Sequence, residues 1–166
     1  MKEDFLYFLW KFQLFNHQGL ETQCGLPVQV RKAGILNNDA GPDFSASHVV
    51  IDEMEWVGNV EMHVRSSQWF KHGHQNDVAY DSVVLHVVWD YNMPINDSKG
   101  REIPTIALSK ITQKGYLSNY QLLNQSLVDI ACQEKISEVP DVYLNGELHQ
   151  QIICRLERKT QKWKEN

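Results

Sequence analysis

The chain has 166 residues, 42% of them hydrophobic and 22% charged, with a formal net charge of −5. That length supports one hydrophobic core, is short for two ordinary domains, and marks a soluble globular chain. The acidic balance excludes a surface that serves as a whole as an electrostatic footprint for nucleic acid, but not a local one.

The opening apolar run FLYFLW is six residues long, lies between Lys2, Glu3, Asp4 and Lys11, and has no small-residue cleavage site after it. It reads as neither signal peptide nor membrane span, so the expected compartment is the cytoplasm. EDFLYFLWKFQLF, residues 3–15, places Phe5, Leu9 and Phe12 at helical spacing with two acids in its first turn, and predicts helix one. PVQVRKAGI reads as a strand, followed by the loop LNNDAGPD, rich in Asn, Asp, Gly and Pro. FSASHVVID and WVGNVEMHV are a second and third strand, joined as a hairpin through Asp52, Glu53, Met54 and Glu55.

Residues 66–81 then supply a crossover long enough to link parallel strands. SVVLHVVW is almost continuously apolar, as a strand covered on both faces should be. EIPTIALS offers a fifth strand, residues 114–135 a helical stretch carrying Tyr116, Tyr120, Leu123, Leu127 and Ile130, and EVPDVYLNG a breaker. A last helix is predicted from Glu147 to the end, with Leu148, Ile152 and Leu156 as its apolar stripe. It has no stop signal, so the natural protein is expected to continue past Asn166. The predicted division is an α/β core over 1–110 and a helical extension over 111–166. Cys24, Cys132 and Cys154 lack metal or redox spacing and are expected to be reduced packing residues. The terminal RLERKTQKWKEN is basic and could contact nucleic acid, or be a solvated helix end.

In the third strand, period-two alternation puts Asn59, Glu61, His63 and Arg65 on one face and Val60, Met62 and Val64 on the other. Such a polar face is either a wet strand surface or a chemical one. The loop GPDF starts the neighbouring strand with Asp43, and a hairpin folds it back so that Asp43 and Glu61 meet near one end of the sheet. Two carboxylates and a backbone carbonyl make a hard oxygen site for Mg²⁺ or Mn²⁺, able to activate water and neutralise a phosphate.

On Pro42-Asp43 and Glu61-Met62-His63, set in the order helix, hairpin, crossover and buried strand, the chain resembles the restriction-endonuclease-like superfamily with its PD-(D/E)xK motif. The resemblance implies a mixed sheet flanked by helices and a metal-dependent phosphodiesterase or nuclease, with Asp43 and Glu61 as metal ligands and Asp43, Glu61 and His63 as the catalytic set. His63 stands where the family has lysine; Arg65 or Lys71 could supply the missing cation and bind substrate. The longer run NNDAGPDF, GNVEMHVRSSQWFKHGH, AYDSVVLHVVW and RLERK is also similar to an uncharacterised bacterial family, domain of unknown function number 2851, whose members are longer.

Two further readings stand beside the nuclease. His63, with His72 and His74 of the HGH triplet, offers three nitrogen ligands for Zn²⁺, Mn²⁺ or Fe²⁺, the basis of a transition-metal hydrolase. Alternatively, the fold is a non-catalytic interaction domain. His86, inside SVVLHVVW, reads as a core histidine hydrogen-bonded within the sheet. No GxSxG elbow, GxxxxGK loop or GxGxxG fingerprint is present. Substrate identity and oligomeric state are not written in these motifs.

Overall fold

The computed structural model describes residues 2–125 and 133–164. The chain divides into two compact units, Met1–Tyr120 and Gln121–Asn166.

The first unit opens with α1 (Glu3–Lys11), whose Glu3 and Asp4 meet the positive end of the helix dipole. Phe5, Leu6, Leu9 and Trp10 form its buried stripe, and the Trp10 indole N–H donates to the carbonyl of Ala33 at 2.9 Å. The helix is shorter than its apolar spacing suggests. Gln13 takes a left-handed φ of 51°, the N–H of Leu14 turns back to the Leu9 carbonyl, and Phe15 stacks on Trp10 with ring centres 5.9 Å apart.

Among the described residues six strands form one mixed sheet, in the order β1 (Val28–Lys32), β3 (Phe44–Ile51), β4 (Met54–Arg65), β5 (Val83–Asp90) and β6 (Thr105–Ala107), with β2 (Ile35–Leu36) also paired to β3. The single strand expected over PVQVRKAGI is therefore two, broken at Gly34. A Cβ there would lie 2.4 Å from Ser47 Oγ and 2.6 Å from the Ser45 carbonyl, at a φ of +94°. β3 and β4 form the expected antiparallel hairpin, but its turn is tighter than expected. Asp52 and Glu53 alone make it, with φ of 49° and 67°, the two positive values of a type I′ turn, and Met54 and Glu55 already belong to β4.

β4 and β5 run parallel, with Glu61 beside His86 and His63 beside Val88, and β5 pairs in parallel with β6. One face of these strands carries Val60, Met62, Leu85, Val87 and Ile106 into the main core, together with the stripe of α1. The other face is covered by the crossover. Its short helix α2 (Gln68–Lys71) buries Trp69 with Val83, Ile95 and Ile103, and the Trp69 indole donates to the Asn96 carbonyl at 3.0 Å. Ser66, wholly buried, fixes where the crossover leaves β4: its Oγ accepts from the N–H groups of Asn92 at 3.1 Å and Met93 at 3.0 Å.

The helical stretch expected from Lys114 begins as α3 (Tyr116–Gln125), with Tyr116, Leu117 and Tyr120 packed on the core. The expectations for Leu127, Ile130 and Cys132 lie outside the described residues. The second unit contains a 3₁₀ turn over Gln133–Glu138 and α4 (Asp141–Lys164). This last helix starts six residues before the expected Glu147, because Pro140 opens it rather than breaking the chain: proline has no N–H to lose in a first turn. Leu148, Ile152 and Leu156 are exposed on it. Cys24 and Cys154 are exposed too, against the expectation that they pack.

Where β4 meets β5, Gly58 permits contact that no side chain would. A Cβ there would lie 2.4 Å from Val84 Cγ1 and 2.9 Å from the Ser82 carbonyl. Gly58→Ala should therefore destabilise the fold by about 1–3 kcal/mol in a denaturant melt, as overpacking does. An unchanged midpoint would mean that the two strands are less closely apposed at this point.

Candidate metal and catalytic site

Asp43 precedes β3 by one residue. Phe44 faces Val60 across the hairpin, and beyond that pair the N–H of Met62 is taken by Asp43 Oδ2 at 2.9 Å instead of by a strand. In return the N–H of Asp43 donates to Glu61 Oε2 at 3.1 Å. This reciprocal clasp holds the Asp43 carboxylate against the strand that carries Glu61, at one end of the hairpin as its fold-back requires. From α1, the Tyr7 hydroxyl donates to Asp43 Oδ1 at 2.7 Å.

The polar face of β4 is not wet. Glu61 is 5% exposed and His63 1%, because the crossover lies over them. Gly73, in a left-handed conformation with φ of 80°, separates His72 from a 3₁₀ turn that starts at His74, and the tight bend returns both imidazoles toward β4. His63 sits at the centre of a histidine cluster. Its Nδ1 is 2.8 Å from His86 Nε2 and its Nε2 is 3.0 Å from His72 Nδ1. Glu61 Oε1 lies 3.3 Å from His74 Nε2 and 3.7 Å from His63 Nε2. His74 is stacked on Tyr80, ring centres 3.7 Å apart, and Trp69 packs its edge against both His74 and His86. His72 alone of the four is exposed. It lines an open cleft with Glu3, Tyr7, Val64 and Gln68.

Burial governs the electrostatics. Desolvation pushes the Glu61 carboxyl up to about 7, with the Asp43 charge adding to the rise and His74 opposing it. Asp43 is also raised by burial, against the lowering effect of its Tyr7 and Met62 hydrogen bonds. His63 is pushed down to about 2 by burial and by the neighbouring His86, His72 and His74, and His86 to about 3, chiefly by burial. His63 is thus held as a neutral imidazole at ordinary pH. Arg65 and Lys71 are exposed and make no ion pair among the described residues.

The sequence-derived candidates thus divide. Asp43, Glu61, His63, His72 and His74 converge, while Arg65 and Lys71 stay at the rim. Tyr7 and His86 join them. Tyr7 left no local signal, since its partner is 36 residues away. His86 did, as the one polar interruption of an apolar run, and its bond within the sheet is to His63.

The chain, a mixed α/β protein with a buried cluster of histidines and carboxylates, belongs to the family described as "Protein of unknown function (DUF2851)", whose profile matches residues 3–166. No curated protein and no solved structure is significantly similar to it. No helix among the described residues is long and apolar enough to cross a membrane.

The buried ionisable groups set an acid sensitivity whose sign can be worked out. Folded Glu61 takes its proton near 7 against an ordinary 4.5, so it adds stability as pH falls through that window. His63 and His86 refuse protons that the unfolded chain accepts near 6.5, so each removes stability as pH falls from there toward 2 or 3. Asp43 and Glu3, also raised, act with Glu61, and His72, also lowered, acts with His63 and His86, whose two large downward shifts decide the sign. In EDTA the thermal midpoint should fall as the buffer is taken from about pH 7.5 to about pH 5. A midpoint that rises over that range would show that the carboxylates, and not the buried histidines, govern the response to acid.

Proposed function

We propose that the chain is a divalent-metal-dependent hydrolase of phosphodiesters, with nucleic acid as the leading substrate class. The observation that carries this reading is the clasp between Asp43 and Glu61. Two carboxylates are held together by each other's backbone neighbourhood, largely out of water, with Glu61 raised toward neutrality by burial and by the Asp43 charge. Such a pair is costly in a structural role and useful in a metal site.

The element order supports the same class. α1, the β3–β4 hairpin, the crossover and parallel β5 follow the order of the restriction-endonuclease-like core. Asp43 and Glu61 stand at that motif's acidic positions, and His63 stands at the lysine position. A Mg²⁺ or Mn²⁺ ion at the carboxylates would polarise a phosphoryl oxygen and lower the pKa of bound water. Asp43 and Glu61 bind and orient it. His63, neutral and pinned between His86 and His72, holds position rather than charge, and exposed Arg65 and Lys71 are available to an anionic substrate approaching the rim.

The test is hydrolysis of single- and double-stranded DNA, of RNA and of bis(p-nitrophenyl) phosphate, with Mg²⁺ and with Mn²⁺. Cleavage should depend on metal, stop with EDTA, and fall in Asp43→Asn and in Glu61→Gln to the rate without metal. Cleavage unaffected by either substitution in a folded chain would remove the carboxylate pair from the mechanism.

A further inference from the structure

Beneath the crossover, three imidazoles hold ligand nitrogens within 4.8 Å of one another, and the Glu61 carboxylate reaches two of them. His74 is 8% exposed, and its Nε2 is buried without a hydrogen-bond partner, 3.3 Å from Glu61 Oε1 in poor alignment. A buried polar atom left unpaired costs about 1–3 kcal/mol, so its retention needs a reason. His63 Nε2 lies 3.7 Å from the same oxygen and 3.0 Å from His72 Nδ1. The ligating nitrogens of the three histidines all lie within 4.8 Å of one another.

Metal–ligand bonds of 2.0–2.2 Å place adjacent donors about 2.8–3.7 Å apart, depending on the angle at the ion. Three of the six edges fall in that window; the three imidazoles alone lie mutually within 4.8 Å, and Glu61 reaches the site from the His63–His74 side. We infer that Glu61 Oε1, His63 Nε2, His72 Nδ1 and His74 Nε2 form a binding centre for a first-row divalent transition-metal ion. Imidazole nitrogen favours such ions over Mg²⁺, which prefers oxygen and keeps its water. Three neutral rings and one carboxylate leave the centre a net positive charge, enough to polarise a further water ligand. Exposed His72 puts the open side on the cleft shared with Tyr7 and Gln68. Asp43 makes its contacts with Tyr7 and the Met62 N–H rather than with the three rings, and is not one of these four ligands. The centre shares Glu61 with the phosphodiesterase reading but does not depend on it.

His86 sets the proton arrangement. A neutral His63 can ligate through Nε2 only with its proton on Nδ1, where His86 Nε2 waits 2.8 Å away and must accept. The proton of His86 then sits on its own Nδ1, a buried atom without a partner. In the absence of an ion the reverse arrangement costs less: His86 Nε2–H donates to His63 Nδ1, His63 Nε2–H donates to His72 Nδ1, and a bare lone pair rather than an N–H is left unpaired. Ion binding therefore flips the tautomers of both His63 and His86, with His86 as the positioning residue behind the ligand.

The experiment is titration of the chain with Co²⁺, read by visible d–d absorption and by calorimetry in excess Mg²⁺. The expected result is one tightly held Co²⁺ that Mg²⁺ does not displace, with affinity lowered by about tenfold to a hundredfold or more in His74→Ala and Glu61→Gln. Histidine ¹⁵N spectra with Zn²⁺ should show His63 and His86 exchanging tautomers. Absence of stoichiometric Co²⁺ binding, or full affinity in a folded His74→Ala, would overturn the centre. If His74→Ala does not fold, the wild-type ¹⁵N spectra decide, since unchanged tautomers on loading contradict His63 as a ligand. A chain that binds Co²⁺ as expected yet hydrolyses no phosphodiester keeps the centre and loses only the proposed reaction.

Discussion

Everything at the site depends on one constraint: the polar face of β4 is buried. A carboxylate and an imidazole in the middle of a sheet, roofed by a crossover, lose their water and must find other partners. Glu61 finds the N–H of Asp43, and His63 finds a ring on either side. Glu61 Oε1 also stands 3.3 Å from His74 Nε2 and 3.7 Å from His63 Nε2. The raised Glu61 and lowered His63 and His86 record the same desolvation from the two sides of the charge scale.

What holds the roof is ordinary packing. Trp69 fills the space between the crossover and β5, its indole tied to Asn96, and Ser66 anchors the start of the crossover to Asn92 and Met93. The left-handed Gly73 then turns the chain so that His72 and His74 face the sheet. On the opposite face, α1 buries Phe5, Leu6, Leu9 and Trp10 on Met62 and its neighbours, and sends Tyr7 to Asp43. The central part of β4 is thus covered on both sides, as a strand between parallel and antiparallel partners commonly is. Both layers that form the site belong to hydrophobic cores.

Much of this was legible in the residues. SVVLHVVW announced a doubly covered parallel strand, the acidic DE turn announced the hairpin, and the spacing of Asp43 and Glu61 brought their two strand positions together. Other features depended on backbone geometry that composition does not carry. The apolar period of the first helix runs on to Phe15, yet a left-handed Gln13 ends it and Phe15 stacks back on Trp10. Gly34 divides one apparent strand in two. Alternation in NVEMHV identified which side chains share a face but not whether water reaches it, because that is decided by the crossover some ten residues further on. His86 reads correctly as a buried histidine within the sheet, and only the register of β4 on β5 reveals that its partner is His63.

The proposed centre holds its ion among Glu61, His63, His72 and His74, and X-ray absorption at the metal edge of the zinc-loaded chain is the sharpest check of it. The expected spectrum has a first shell of nitrogen and oxygen at about 2.0–2.1 Å, with the outer-shell scattering of three imidazole rings. A shell of oxygen alone, without imidazole scattering, would place the ion elsewhere and contradict it.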